Sequence, residues 1–112
     1  MEKDTTIFLK HIFESIEQVQ NYVKDISKET FLVSTQLQDS VARRLEIIGE
    51  ATKNLPEDFK IKHPEIPWRK ITGMRDNLIH EYFNFDEELV WNVLINYIPE
   101  FKKQISDLLN DL

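Results

Sequence analysis

The chain has 112 residues, 41% hydrophobic and 30% charged, with two glycines, four prolines and no cysteine. That length and balance suit a single domain covering residues 1–112. The missing thiols exclude disulfide frameworks, cysteine-ligated zinc, iron–sulfur clusters and thiol nucleophiles. Fourteen Lys/Arg against twenty Asp/Glu give a formal charge of −6, which argues against a surface built for general adhesion to polyanions.

The charge is unevenly spread. Residues 1–40 carry four cations and seven anions, 41–80 eight and six, and 81–112 two and seven. An anion site is therefore expected in the locally basic middle third, although a difference of this size also arises by chance. Apolar runs are only a few residues long, too short to cross a bilayer. Met1-Glu2-Lys3-Asp4 lacks the basic start and apolar stretch of a secretory signal, so the expected location is the cytoplasm.

Taken in chain order, the pattern is helical throughout, with no period-2 alternation bounded by turn residues. Phe8, Ile12, Ile16, Val19, Val23 and Ile26 make one stripe, predicting a helix over about 5–26 capped by Asp4, Thr5 or Thr6. Ser27 to Thr30 reads as a break and a new start, followed by a short turn through Phe31 and Leu32. A long helix then carries Leu37, Val41, Leu45, Ile48, Thr52 and Leu55, with Arg43, Glu46, Glu50 and Lys53 opposite. Ala42 and Gly49 on it are small enough to let a neighbouring helix come close.

Pro56, Pro64 and Pro67 mark a connector over 55–67, with one helical turn around 57–61, whose Phe59, Ile61, Ile66 and Trp68 are expected to pack onto the bundle. Pro67 suits the first position of a helix over about 67–82. Asp86 is expected to cap the last helix, whose stripe is Val90, Leu94, Tyr97, Ile98, Phe101, Ile105 and Leu108, and Pro99 should kink or split it. The expected fold is all-α, an antiparallel bundle of four to five helices.

Phosphate-cradling glycine motifs, HExxH and GxSxG are absent. Of the three histidines, His11 sits beside the first stripe in a structural or surface role, and His63 reads as a solvated loop residue. His80 stands apart because Arg75, Asp76, Asn77 and Tyr82 share its helix within eight positions. At 100° per residue Asp76 and His80 lie about 40° apart, so the carboxylate can orient the imidazole as a general base. Arg75 offers a planar fork for phosphate but lies about 140° from His80, so the two meet only if the arginine curls, the helix distorts or a second subunit completes the site. An amphipathic helix with exposed polar residues accounts for the same segment. Glu46 and Glu50 could serve as paired carboxylates, but i,i+3 pairing of Arg43 with Glu46 and Glu50 with Lys53 explains them as a solvated or dimer-facing surface.

The spacing Arg75-x4-His80-x-Tyr82, with a polar residue following the arginine, resembles the signature of HepT-like toxins in the HEPN superfamily of helical ribonucleases. So do the blocks Arg44-Leu45-Glu46-Ile47-Ile48-Gly49-Glu50-Ala51, His63-Pro64-Glu65-Ile66-Pro67-Trp68 and Gly73-Met74-Arg75. The resemblance covers essentially the whole chain. It implies a HEPN-type bundle acting as a homodimer and an endoribonuclease needing neither metal nor cofactor, with Arg75, His80 and Asp76 catalytic and RNA rather than DNA as substrate. It also implies a toxin of the type VII kind, silenced when an MntA-type minimal nucleotidyltransferase adds AMP to Tyr82; a plain packing role is the other reading of that tyrosine. Arg43, Arg44, Lys53, Arg69 and Lys70 are candidates for an RNA-guiding rim, or simply surface charges. Trp68 and Trp91 are read as core or subunit-contact anchors. The competing functional reading is a non-catalytic helical dimerisation module that binds a nucleotidyltransferase partner, and a third is a regulatory subunit binding a nucleotide at the basic middle.

Overall fold

A computed structural model describes residues 3–80 and 86–112, with side-chain surroundings for 4–76 and 86–112. The described residues form seven helices and no strand: α1 Lys3–Val23, α2 Lys28–Val33, α3 Thr35–Lys53, α4 Glu57–Lys62, α5 Trp68–His80, α6 Glu87–Asn96 and α7 Ile98–Asn110. The all-α class is as expected, with α1, α3, α5 and the α6–α7 pair as its long members. No helix among the described residues is long and apolar enough to cross a membrane.

Local chemistry sets the helix ends. Ser27, Ser34 and Asp86 are N-caps, their side chains accepting the N–H of Thr30, Leu37 and Leu89 at 3.1, 3.2 and 3.1 Å. α1 stops three residues short of the expected end because Asp25 takes a left-handed conformation at φ 60°, which short polar residues tolerate and which turns the chain out of the helix. Pro56 blocks extension of α3, and the expected turn at 57–61 is α4. Pro67 stands one residue before α5, its carbonyl accepting from Ile71 N–H at 3.3 Å.

α1 packs on α3 and α7, α3 on α5, and α2 bridges α3 and α6. Arg44 Nη1 donates to Gln18 Oε1 at 2.6 Å, while Phe8 and His11 share a groove with Ala51 and Asn54, so α1 and α3 run antiparallel. Leu9, Ile12, Ile16 and Val19 of α1, Phe31 of α2, Val41, Leu45 and Ile48 of α3 and Ile105 of α7 are fully buried. Such side chains stabilise a fold by about 1.5–3 kcal/mol each. The α1 stripe is centred on Leu9 rather than on Phe8, and Phe8, Val23 and Ile26 are only partly buried. With α3 and α7 both against α1, the covered face is the 5-9-12-16-19 row.

Two apolar expectations fail. Ile61 is 73% exposed and Tyr97 54%. α4 turns Phe59 inward and leaves Ile61 outside. Pro99 splits the last helix as anticipated, and the break falls at Tyr97, so the stripe changes phase there and the tyrosine leaves the core. Trp68, 8% exposed, is a core anchor whose indole N–H donates to the carbonyls of Lys60 and His63 at 3.2 and 3.0 Å. Half-buried Trp91 packs at a tilt against Phe31, with ring centroids 5.3 Å apart and planes 37° from parallel. His63 stands in the loop after α4, as expected, but is only partly solvated: its ring lies 4.8 Å from Phe59, and Nδ1 is 3.4 Å from Glu65 Oε1.

Candidate active site

The close approach expected of Gly49 occurs against Arg75. A methyl group on Gly49 would overlap Arg75 Cβ and lie 2.6 Å from its Cγ. α3 is thus bare of side chain where the arginine stem of α5 crosses it, and the stem is laid across the α3 backbone before its head emerges.

The guanidinium is then held from both sides. Arg75 Nη2 lies 2.9 Å from Glu50 Oε2 and Nη1 donates to Asp76 Oδ1 at 2.9 Å. The Arg75 side chain is only 23% exposed, against 51% for Glu50 and 48% for Asp76. Its Nε is buried without a hydrogen-bond partner among the described residues. Two exposed carboxylates on a mostly covered cation fix the fork without removing it from solvent, which suits an arginine that receives an anion. The head opens on a groove of about 350 Å³ between α1 and α3, whose walls include Phe8, His11, Arg43, Glu46 and Glu50.

A family model described as "Ribonuclease HepT-like" matches residues 12–108. The chain belongs to that family. It is 47% identical over its whole length to "Gamma-glutamylcyclotransferase and putative RNase" of Methanocaldococcus jannaschii, of which it spans 50%. It is 44% identical over 96% of its length to "Probable ribonuclease HepT" of Thermococcus cleftensis, covering 98% of that protein. With "Putative RNase" of Caldanaerobacter subterraneus the identity is 45%, over 91% of each chain. No solved structure matches it.

In this HepT-like chain, Arg75 and Asp76 of the motif are described, and His80 is the last described residue of α5. The His80 side chain, and Tyr82 altogether, lie outside the described residues. Asp76 was expected to orient His80; its Oδ1 engages Arg75, leaving a second oxygen with no described partner. The five rim candidates do not line a single groove. Arg43 lines the Arg75 groove and lies 3.8 Å from Glu46. Lys53 and Arg69 line a second groove of about 450 Å³ together with Asp76. Lys70 borders a more apolar cavity with Met74 and Tyr97, and Arg44 is tied to Gln18.

Sequence reasoning missed two members of the Arg75 site. Glu50 was paired with Lys53 on helical spacing, but its described partner is Arg75, 25 positions away. His11, assigned a structural or surface role, shares a groove with the arginine. Periodicity along one helix does not show which side chains meet across two.

Proposed function

We propose that the chain is an endoribonuclease that cleaves RNA through the RNA's own 2′-hydroxyl. The observation that carries the reading is the seating of Arg75: its stem lies on Gly49, and its fork is held by Glu50 and Asp76 at the mouth of a groove. The helix that supplies it also carries His80. Family membership and the names of the relatives support the same activity.

In the proposed reaction His80 removes the proton from a ribose 2′-hydroxyl, and that oxygen attacks the adjacent phosphorus. The bond from phosphorus to the 5′-oxygen breaks and the leaving oxygen takes a proton, giving a 2′,3′-cyclic phosphate and a 5′-hydroxyl. General-base assistance of this kind contributes about 10²- to 10⁴-fold. Arg75 binds a non-bridging oxygen and stabilises the charge that builds there. Asp76, bonded to Arg75, fixes the fork from the side of α5 that carries the histidine. The nucleophile comes from the substrate, so the step as written calls on no metal ion, and DNA, lacking the hydroxyl, survives.

Because Arg75 and His80 are far apart around an ideal helix, the reading includes a homodimer in which the two copies complete one cleft. It further includes a toxin role in the cytoplasm, with a minimal nucleotidyltransferase of the MntA type adding AMP to Tyr82. A phosphate and an adenosine two residues from His80 would exclude RNA by bulk and repulsion.

The test is induced expression of the chain and of its Arg75→Ala and His80→Ala variants, with and without the nucleotidyltransferase, scoring growth and RNA integrity together. Wild-type chain alone should arrest growth and fragment RNA, and each variant should do neither. With the active partner and ATP, the Tyr82 peptide should gain the mass of one AMP; an unmodified peptide removes that part of the reading. The acidic total charge favours a second reading, a dimerisation module that binds the partner without cleaving. Wild-type chain that binds the partner but leaves RNA intact would establish that instead.

A further inference from the structure

The groove beside Arg75 is unlike a track for a phosphate backbone. Arg43 and Arg75 are balanced by Glu46 and Glu50, and the walls also carry an aromatic ring, Phe8, an imidazole, His11, and the uncharged Ile47, Ala51 and Asn54. Two guanidiniums less two carboxylates is no net formal charge. A pathway for polyanion is uniformly basic, whereas a site for a base mixes an aromatic surface with a few aimed hydrogen-bonding groups. Its volume of about 350 Å³ is at the small end of ligand sites, which run from roughly 300 to 1,000 Å³.

The groups in it are unequally committed. Glu50 is spent on Arg75 at 2.9 Å, while among the described residues Glu46 is held only by Arg43 at 3.8 Å. Phe8 is partly buried and lines the groove, and His11 is exposed on α1, one helical turn from it. No hydrogen bond or ion pair engages the His11 ring among the described residues.

We propose that this groove is a subsite for one unpaired guanine nucleotide of an RNA strand, with Phe8 against the base, Glu46 reading its edge and His11 contacting the sugar-phosphate beside the one held by Arg75. A carboxylate only accepts, and with both oxygens it matches two neighbouring donors. Guanine presents such a pair, N1–H and its 2-amino group, on its Watson–Crick edge. That edge is free only in an unpaired strand, the form in which RNA sequence is ordinarily read. The inference rests on the ribonuclease reading for its substrate, but its test is a binding measurement.

The probes are four labelled 2′-O-methyl tetranucleotides differing at one position, which cannot cleave themselves because the hydroxyl is blocked. Binding to the full chain is measured by fluorescence polarisation, with thermal melting to confirm that each variant is folded. Wild type should prefer the guanine probe by about five- to 150-fold, the span of one good bidentate base contact. Glu46→Gln should lose the preference, and His11→Asn and Phe8→Leu should weaken all four probes alike. Equal binding of the four probes by wild type, or a guanine preference that survives Glu46→Gln, overturns the assignment. If Arg75→Ala abolishes RNA cleavage while the groove variants bind as wild type, the subsite falls and the ribonuclease stands. If wild type cleaves no RNA yet binds the guanine probe through Glu46, the subsite stands without the enzyme.

Discussion

Replacing Gly49 by alanine tests the seating of Arg75 directly. The added methyl would overlap Arg75 Cβ and stand 2.6 Å from Cγ, where relaxed carbon contacts lie at about 3.5–4.0 Å. A Cβ atom cannot rotate away from its own backbone, so α3 and α5 must separate by roughly 1 Å. Overpacking of this kind costs about 1–3 kcal/mol, and each kcal/mol lowers the melting temperature by roughly 4–8 °C in a domain near this size. The same displacement moves the guanidinium away from the phosphate it is to hold, and a misplacement of about 1 Å can cost about 10²-fold in rate. Thermal melting followed by circular dichroism and cleavage of a fluorogenic RNA read the two effects separately. Gly49→Ala protein that melts and cleaves like wild type would refute the claim that this glycine sets the arginine.

Gly73 is the internal control: a Cβ there meets no described atom within 4 Å, so Gly73→Ala should raise stability by about 0.5–1 kcal/mol through helix propensity alone, read in the same melt. Trp68→Phe removes an indole N–H shared by two carbonyls at 3.2 and 3.0 Å and should cost about 1–3 kcal/mol in urea denaturation. Asp86→Ala deletes the cap on Leu89 N–H and should cost about 1 kcal/mol by the same method. Ile105→Ala, at a fully buried position, should cost about 2–5 kcal/mol, and a smaller loss would mean that α7 can close over the gap.

Elements whose cause is local were legible before any coordinates. The Asp86 cap, the turn at 57–61 and the split at Pro99 each depend on neighbouring residues and stand where the sequence puts them. The α1 stripe was misjudged by about one position because burial there depends on α7 as well as α3, and the sequence of one helix does not encode the angle between its neighbours. Tyr97 was placed in the core by carrying one helical phase through a proline that resets it. At the site, the smallness of Gly49 correctly announced a close crossing, but nothing in the sequence said that Arg75 would be the group crossing it. The Glu50–Arg75 pair and the place of His11 are products of tertiary packing, invisible to spacing rules that operate within one turn of one helix.

The double embrace of Arg75 by Glu50 and Asp76 bears on how strand binding responds to ionic strength. A cation already flanked by two carboxylates carries little net charge of its own, and an incoming phosphate joins it through the N–H groups that the two acids leave free. At this position electrolyte is therefore a weak lever. Discrimination passes to geometry, to whichever ligand meets the donors that the two acids hold in place.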